Sequence, residues 1–208
     1  MRVLIIGGTR RAGPYLVEEL LDRGHAVTCY HRGQNNVAFS ERAGHIHGDR
    51  RQYPEFKRQM QEIEVDAVID MMAADDQDVA AVIDAFLGRI QRYICISSYE
   101  VYQAYEAAWN HTRSWQPVPI PEEAPKRTQL YLYGHERRYD KLLVEGKLLE
   151  ARDRDGFPAT ILRWPALYGP RDTTPREWHY VRQALAGRQA IAVPDGGQSL
   201  FSRGYLEN

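Results

Sequence analysis

The sequence has 208 residues, of which 43% are hydrophobic, and its 27 basic and 28 acidic side chains leave a formal net charge of -1. This length and composition are typical of a globular protein with one main core. The near balance of charge excludes an overall basic field that would bind nucleic acid or an anionic membrane, so each binding site has to be argued from local clusters. No stretch approaches the roughly 20 apolar residues of a membrane span.

The first part of the chain alternates between strand and helix patterns. Apolar periodicity predicts a strand at Val3–Ile6, a helix at Pro14–Arg23 and a second strand at Ala26–Tyr30. A short apolar and polar stretch follows at His45–His47. The same alternation predicts a helix near Pro54–Glu62.

The rhythm continues through the middle of the chain and beyond. We expect a strand at Ala67–Met71, a helix at Gln77–Leu87 and a strand at Tyr93–Ser97, then a loop over Gln103–Thr128. The last elements in the series are a helix, Glu136–Arg152, and a strand, Ala159–Arg163.

Short, uniformly apolar strands separated by helices are typical of a parallel sheet that is covered on both faces. The sequence therefore predicts an α/β fold, a doubly wound parallel sheet of the Rossmann type, over residues 1–168. Residues 169–208 are expected to begin a smaller C-terminal substrate-binding region that is largely absent from this chain, because the end GGQSLFSRGYLEN shows neither a capped helix nor a closing strand.

The opening RVLIIGGTRRAG places glycines between the first strand and the first helix. Backbone N–H groups and the helix dipole meet there, so this context favours phosphate binding over a turn that needs glycine only for its dihedral angles. The spacing runs Gly7-x-x-Arg10-x-x-Gly13, so an arginine stands where the fingerprint has its middle glycine. Its guanidinium would lie beside a pyrophosphate or reach the ribose.

The end of the second strand predicts which nucleotide is bound. Enzymes that select NAD place a carboxylate there, whereas an arginine accommodates the 2′-phosphate of NADP. Here the strand ends in His31, Arg32 and Gly33, with no carboxylate. Arg10 and Arg32 therefore favour NADP over NAD, the alternative being that they are solvated surface arginines.

Several segments of the chain form a recognisable series: GGTRRAG, the GDR around Asp49, DAVIDMMAA, ISSYEVY, YGHERRYDKLLVEGKLLEA and TILRWPALYGPRD. Together they resemble the extended short-chain dehydrogenase/reductase superfamily, and within it the NAD(P)-dependent epimerase/dehydratase family. The GGTR form of the glycine loop also resembles a subgroup that includes chloroplast stem-loop RNA-binding proteins.

The resemblance implies a role for each matching position. Asp49 would accept a hydrogen bond from the adenine amino group, and Ser98 would hold a substrate oxygen. The residues implied along the pyrophosphate and the ribose are Gly7, Thr9, Arg10, Gly13, Met72 and Ala73.

The Tyr-x-x-x-Lys pair of the family is disrupted in this chain. Lys141 takes the place of the lysine, which would hold the nicotinamide ribose and lower the pKa of the tyrosine, but Arg137 stands four residues before it. Tyr133 is the preferred substitute for the acid/base tyrosine. Tyr139 is the weaker candidate. It lies two residues before Lys141, so on an ideal helix its side chain would face away from the lysine. A further alternative is that no tyrosine fills this role.

Three other features give weaker indications. Seven scattered histidines show no metal-ligand spacing, so no metal site is expected. Cys29 and Cys95 lie in apolar runs, which predicts buried thiols and a reducing, cytoplasmic location. The aromatic residues of the long loop more often pack a loop than bind a partner; they include Tyr102, Tyr105, Trp109 and Trp115.

Two functions remain open. The first is an NADP-dependent oxidoreductase or epimerase/dehydratase acting on a sugar nucleotide or a similar hydroxylated carbonyl compound. The second is a cofactor-binding module without turnover that serves in redox sensing or RNA binding. The only basic segments that would suit RNA are residues 42–58 and the run HERR, and a solvated helix face explains them better, so nucleic acid is not the expected partner. A homodimer is one possible assembly.

Overall fold

A computed structural model describes residues 1–35, 41–112, 116–197 and 201–208. Its main feature is a six-stranded parallel sheet in the order β3-β2-β1-β4-β5-β6. The strands are β1 (Arg2–Ile6), β2 (Ala26–His31), β3 (Gly44–His47), β4 (Ala67–Asp70), β5 (Arg92–Ser98) and β6 (Ala159–Trp164). This order confirms the doubly wound fold and brings the carboxyl ends of β1 and β4 together at the point where the strand order reverses.

Helices cover the two faces of the sheet unequally. They are α1 (Gly13–Asp22), α2 (Tyr53–Gln61), α3 (Asp76–Phe86), α4 (Gln103–Trp109), α5 (Lys141–Asp155) and α6 (Trp178–Leu185). Helices α2, α3 and α5 share one hydrophobic cluster with the sheet, and α1 belongs to a second, smaller cluster.

The alternation of side chains along β1 supplies both clusters. Leu4 and Ile6 enter the larger cluster, whereas Val3 and Ile5 enter the cluster of α1. Because both faces are buried, the strand is apolar at every one of these positions, and this explains the absence of alternation in its sequence. Cys29 and Cys95 are buried free thiols, as their apolar surroundings predicted.

Two boundaries predicted from the sequence are wrong. The segment Gln103–Thr128, expected to be a loop, begins with α4, while Trp115 falls outside the described residues. The helix expected from Glu136 begins at Lys141 instead, because the Asp140 side chain accepts a hydrogen bond from the Leu142 N–H at 2.9 Å and so caps the helix.

The end of the chain also differs from the expectation. Strand β7 (Ala166–Tyr168) pairs in parallel with β8 (Arg203–Tyr205), so a strand is present where the sequence indicated none. The pairing joins residues on both sides of the proposed boundary after residue 168, and the division into two domains remains a proposal. Within the described ranges, no helix is long and apolar enough to cross a membrane.

Candidate functional site

The glycine loop after β1 is shaped for close approach of an anion. Gly7 has a φ of 99° and donates its N–H to the Tyr30 carbonyl at 2.9 Å. A Cβ on Gly13 would lie 2.4 Å from the carbonyl oxygen of Gly8, so only glycine fits there. Helix α1 begins without a side-chain cap and without an acidic residue in its first turn. The loop and helix therefore fit a nucleotide phosphate, which the dipole and the first N–H groups would stabilise.

The two arginines of this loop point to different partners. Arg11, with a φ of 56°, contacts Asp172 at 3.2 Å between Nη2 and Oδ1. Arg10 donates from Nε and Nη2 to Oδ1 of Asn35, at 3.0 and 2.7 Å. Asn35 in turn donates from Nδ2 to the Thr9 hydroxyl at 3.1 Å. Arg10 thus reaches the loop that follows β2, while Arg11 holds a distant segment.

The residues expected near the adenosine follow β2 and β3. Arg32 is exposed, and it forms no ion pair with the residues that the structure describes. Asp49 is half-buried, and its Oδ1 accepts the Arg51 N–H at 3.0 Å. Its Oδ2 makes no hydrogen bond within the described ranges, so it is available as the acceptor that an adenine amino group would need.

Three histidines that the sequence analysis treated as scattered lie close together at the ends of β2 and β3. Nε2 of His31 lies 2.9 Å from Nδ1 of His45, and the rings of His31 and His47 lie 4.8 Å apart. Burial, followed by the charges of the other two rings, lowers the pKa of His31. The strand end therefore carries a neutral imidazole at pH 7 where NAD-selective enzymes have a carboxylate.

Lys141 connects the start of α5 to the sheet edge. Its Nζ donates to the carbonyls of Ala73 and Ile96, at 2.5 and 2.8 Å, and burial lowers its pKa. Met72 packs over the glycine loop, because a Cβ on Gly7 would lie 2.6 Å from its Cγ. The structure therefore brings Gly7, Met72, Ala73 and Lys141 to one edge of the sheet.

Ser98 lies at the end of β5, beside this edge. It is half-buried, and its Oγ accepts the Glu100 N–H at 3.3 Å, which caps a short 3₁₀ turn over Tyr99–Val101. The neighbouring Ser97 is buried and donates to Glu145 at 2.8 Å, so it faces away into a structural contact.

A pocket of about 510 Å³ lies after the end of β5, lined by Glu100, Tyr133, Arg137 and Tyr139. The Tyr133 hydroxyl donates to Oε2 of Glu100 at 2.8 Å and lies 2.7 Å from the hydroxyl of Tyr105. Glu100 is only 6% exposed, and its Oε1 has no hydrogen-bond partner among the described residues. A buried carboxylate oxygen without a partner is costly, so Oε1 is available to accept a hydrogen bond.

Glu100 is a candidate functional residue that sequence reasoning missed. It lies inside the quoted run ISSYEVY, between the candidate serine, Ser98, and Tyr102. The available signal was an acidic residue next to a strand end on the ligand-binding edge of the sheet.

Burial, the hydrogen bond with Tyr105 and the charge of Glu100 all raise the pKa of Tyr133. Tyr133 is therefore a protonated phenol at neutral pH. Arg137 does not displace it, since its guanidinium carbon lies 6.0 Å from the centre of the Tyr133 ring.

The geometric argument against Tyr139 is wrong. Tyr139 precedes α5 instead of lying within it, and Nζ of Lys141 lies 5.6 Å from the centre of its ring. Burial, followed by the charge of Glu100, raises the pKa of Tyr139 as well. Both tyrosines of the pocket therefore keep their protons at neutral pH.

A buried ion pair holds the segment that carries Tyr133. Asp140 accepts from Nη2 of Arg127 at 2.6 Å and from the Tyr131 N–H at 2.6 Å, and the Arg127 and Asp140 side chains are almost fully buried. Asp140 also donates its own N–H to the Ala74 carbonyl at 2.8 Å. These contacts place the beginning of α5 and the pocket wall against the end of β4.

The basic segments considered for RNA are largely neutralised by carboxylates. Arg42 contacts Glu18 and Asp22, and Arg50 is buried against Asp70 at 2.7 Å. In the run HERR, Arg138 binds Asp75 at 2.9 Å. Within the described part of the chain, no group of histidine, cysteine or acidic residues is arranged to hold a metal ion.

A doubly wound parallel sheet with a glycine loop leading into α1 defines a nucleotide-binding Rossmann protein. The sequence matches the NAD dependent epimerase/dehydratase family over residues 3–207. The chain therefore belongs to this family.

A curated relative and two solved structures extend this result. The chain is 28% identical to the chloroplast stem-loop binding protein of 41 kDa b from Arabidopsis thaliana, over all of this chain and 52% of that protein. It also resembles UDP-glucuronic acid 4-epimerase from Bacillus cereus, solved with UDP-glucuronic acid and NAD, at a TM-score of 0.71 and 18% identity.

UDP-glucose 4-epimerase from Thermotoga maritima gives a TM-score of 0.74 at 16% identity. All of this chain, but only 70% of either epimerase, is covered. At these identities the structural likeness establishes the fold alone. The chain spans about half the length of the curated relative that it matches.

Proposed function

We propose that this chain belongs to an NADP-dependent epimerase or dehydratase-type oxidoreductase that acts on a sugar nucleotide or a similar hydroxylated carbonyl compound. The observation that carries the proposal is the convergence of two sites on one sheet edge. The glycine loop packs against Met72, the carbonyl of the next residue, Ala73, binds Lys141, and the pocket with Glu100 and Tyr133 begins at the end of the neighbouring strand.

On the nucleotide side, each residue has one task. Gly7, Thr9 and Gly13 would accommodate the pyrophosphate at the start of α1, and Asp49 would accept from the adenine amino group. Met72 and Ala73 would lie along the ribose, with Lys141 as its hydrogen-bond donor. Arg10 and Arg32 would bind the 2′-phosphate, since charge-assisted arginine contacts to phosphate are both strong and geometrically specific.

Bound NADP would supply the carbon that accepts or returns a hydride. The protein then has to move one proton from a substrate hydroxyl, which Ser98 would orient. A protonated Tyr133 cannot act as the initial base, but it is already hydrogen-bonded to a carboxylate.

The proton therefore moves in two linked transfers. The substrate O–H bond breaks and a new O–H bond forms on Tyr133, while the original phenol proton passes to Oε2 of Glu100. Charge is conserved, because the negative charge of Glu100 is neutralised as the substrate oxygen loses its proton. The reverse transfer serves the return of the hydride.

The alternative, an RNA-binding module, draws on the name of the Arabidopsis relative. In this chain, however, Arg42, Arg50 and Arg138 are bound to carboxylates, and this favours nucleotide chemistry over a phosphate-backbone groove. The cytoplasmic location and a homodimer stay predictions.

Cofactor choice is tested by titrating NADPH and NADH at one ionic strength. NADPH should bind at least tenfold more tightly, which corresponds to about 1.4 kcal/mol. Arg32→Ala should remove most of the preference and leave NADH binding nearly unchanged. Arg188→Ala, which removes an exposed arginine beyond α6, is the matched control. Equal affinities would reject the NADP assignment, and failure to bind either nucleotide would reject the proposed function.

The substrate class is tested by incubating the protein with NADP and a panel of UDP-hexoses. Proton NMR of the sugar region distinguishes interconversion of epimers from loss of water. Mass spectrometry of the protein purified from cells identifies any nucleotide that it retains.

A further inference from the structure

The interactions of Arg10 within the protein raise a question that the proposed function leaves open. Two of its nitrogens, Nε and Nη2, donate to the same oxygen of Asn35. An arginine has only donors, so the amide oxygen of Asn35 must face it and the amide nitrogen must face away. That nitrogen donates to Thr9, which belongs to the glycine loop.

Asn35 therefore joins three parts of the nucleotide edge. It lies after the end of β2, it fixes the edge of the Arg10 guanidinium, and it contacts the loop expected along the pyrophosphate. Nη1 of Arg10 makes no hydrogen bond with the described residues. The amide thus uses one edge of the guanidinium and leaves the end with Nη1 open for an anion.

We infer that Asn35 is a positioning residue for NADP selectivity: it holds Arg10 in the orientation that binds the 2′-phosphate before the nucleotide arrives. The inference rests on the proposed function, because it assumes that a nucleotide occupies this edge. Ordering a long side chain on binding costs conformational entropy. An arginine that is already held avoids this cost, and the benefit applies only to a ligand that carries the 2′-phosphate.

The neighbourhood favours a phosphate over a ribose hydroxyl as the partner. The strand end next to Asn35 carries the cationic Arg32, which has no ion pair within the described residues, and it carries no carboxylate. Asn35 is a neutral amide, so it orients Arg10 without compensating its charge. An aspartate at the same position would also bind the guanidinium, but it would compensate the charge of Arg10 and repel the phosphate.

The test measures dissociation constants of NADPH and NADH for the full chain and its variants. Asn35→Ala should weaken NADPH binding about threefold to tenfold, as expected for the cost of ordering one side chain, and change NADH binding less than twofold. Asn35→Asp should abolish the preference for NADPH and keep NADH binding. Gln34→Ala, which removes the exposed neighbouring amide, should change neither constant.

A double-mutant cycle separates positioning from a direct contact. If Asn35 acts through Arg10, the variant with both Arg10→Ala and Asn35→Ala should bind NADPH no more weakly than Arg10→Ala alone. Additive losses, or an Asn35→Ala variant that keeps the full preference, would overturn the inference and leave the proposed function intact. Equal binding of both nucleotides by the unaltered protein would overturn this inference together with the NADP assignment. No binding of either nucleotide would overturn the proposed function itself.

Discussion

The glycine loop after β1 and the segment before α5 both lead the chain from irregular structure into a helix at the ligand edge. The loop does so with local backbone contacts: Gly13 packs on Gly8 and donates its N–H to the Arg10 carbonyl at 2.9 Å. The segment before α5 depends on side chains from elsewhere, above all Arg127, which binds Asp140.

This difference teaches what each region is able to do. A loop built from backbone can offer the N–H groups between Gly7 and Gly13 to a phosphate, which has the same chemistry in every nucleotide. A segment held by side chains places specific groups, here Tyr133 against Glu100, and it can be changed for a new substrate by a few substitutions. Substitutions in the two regions should therefore have separable effects.

The largest effect is expected from substitutions that break the proton-transfer pocket and leave the nucleotide edge intact. Tyr133→Phe and Glu100→Gln should each lower turnover by roughly 10²- to 10⁴-fold, because each removes one member of the proton relay, with unchanged NADPH affinity. The measurement is kcat together with the NADPH dissociation constant. Tyr180→Phe on α6, far along the chain from the pocket, serves as the control for loss of a hydroxyl. Turnover that survives both pocket substitutions would refute the relay.

The second effect concerns stability on the pocket side. Asp140→Ala leaves the Arg127 guanidinium buried without its carboxylate and also removes the helix cap, so the free energy of unfolding should fall by about 3–5 kcal/mol. Asp153→Ala removes a carboxylate from an exposed ion pair with Arg152 and should change stability by less than about 1 kcal/mol. Urea denaturation followed by circular dichroism gives both values. Similar losses for the two variants would show that the buried pair does not hold this segment.

The smallest expected effect concerns nucleotide binding. Asp49→Ala should weaken NADPH and NADH binding alike, by about 1 kcal/mol, because the adenine amino group is common to both. The ratio of the two affinities should stay the same, and turnover at saturating cofactor should be unaffected. Fluorescence titration checks this, and a strong change in the ratio would mean that Asp49 lies near the 2′-position instead.

The two regions also differ in how well the sequence predicts them. The glycine turn between β1 and α1 and the doubly wound parallel sheet follow from local patterns, and the structure contains them. The start of α5 was predicted five residues too early, because the helical pattern around Arg137 is overridden by the contacts of Asp140. Glu100 was missed because its partner Tyr133 is 33 residues away, and no short-range pattern reports such a pair.

The contact between Arg11 and Asp172 has a consequence for how the chain unfolds. It joins positions that are 161 residues apart, so forming it closes most of the chain into a single loop. The entropy cost of such a closure is met only after the sheet has already brought the two ends together. We therefore expect the pair to be absent from the folding transition state, so that it slows unfolding without accelerating folding. Arg11 would thereby slow the unfolding of the nucleotide edge.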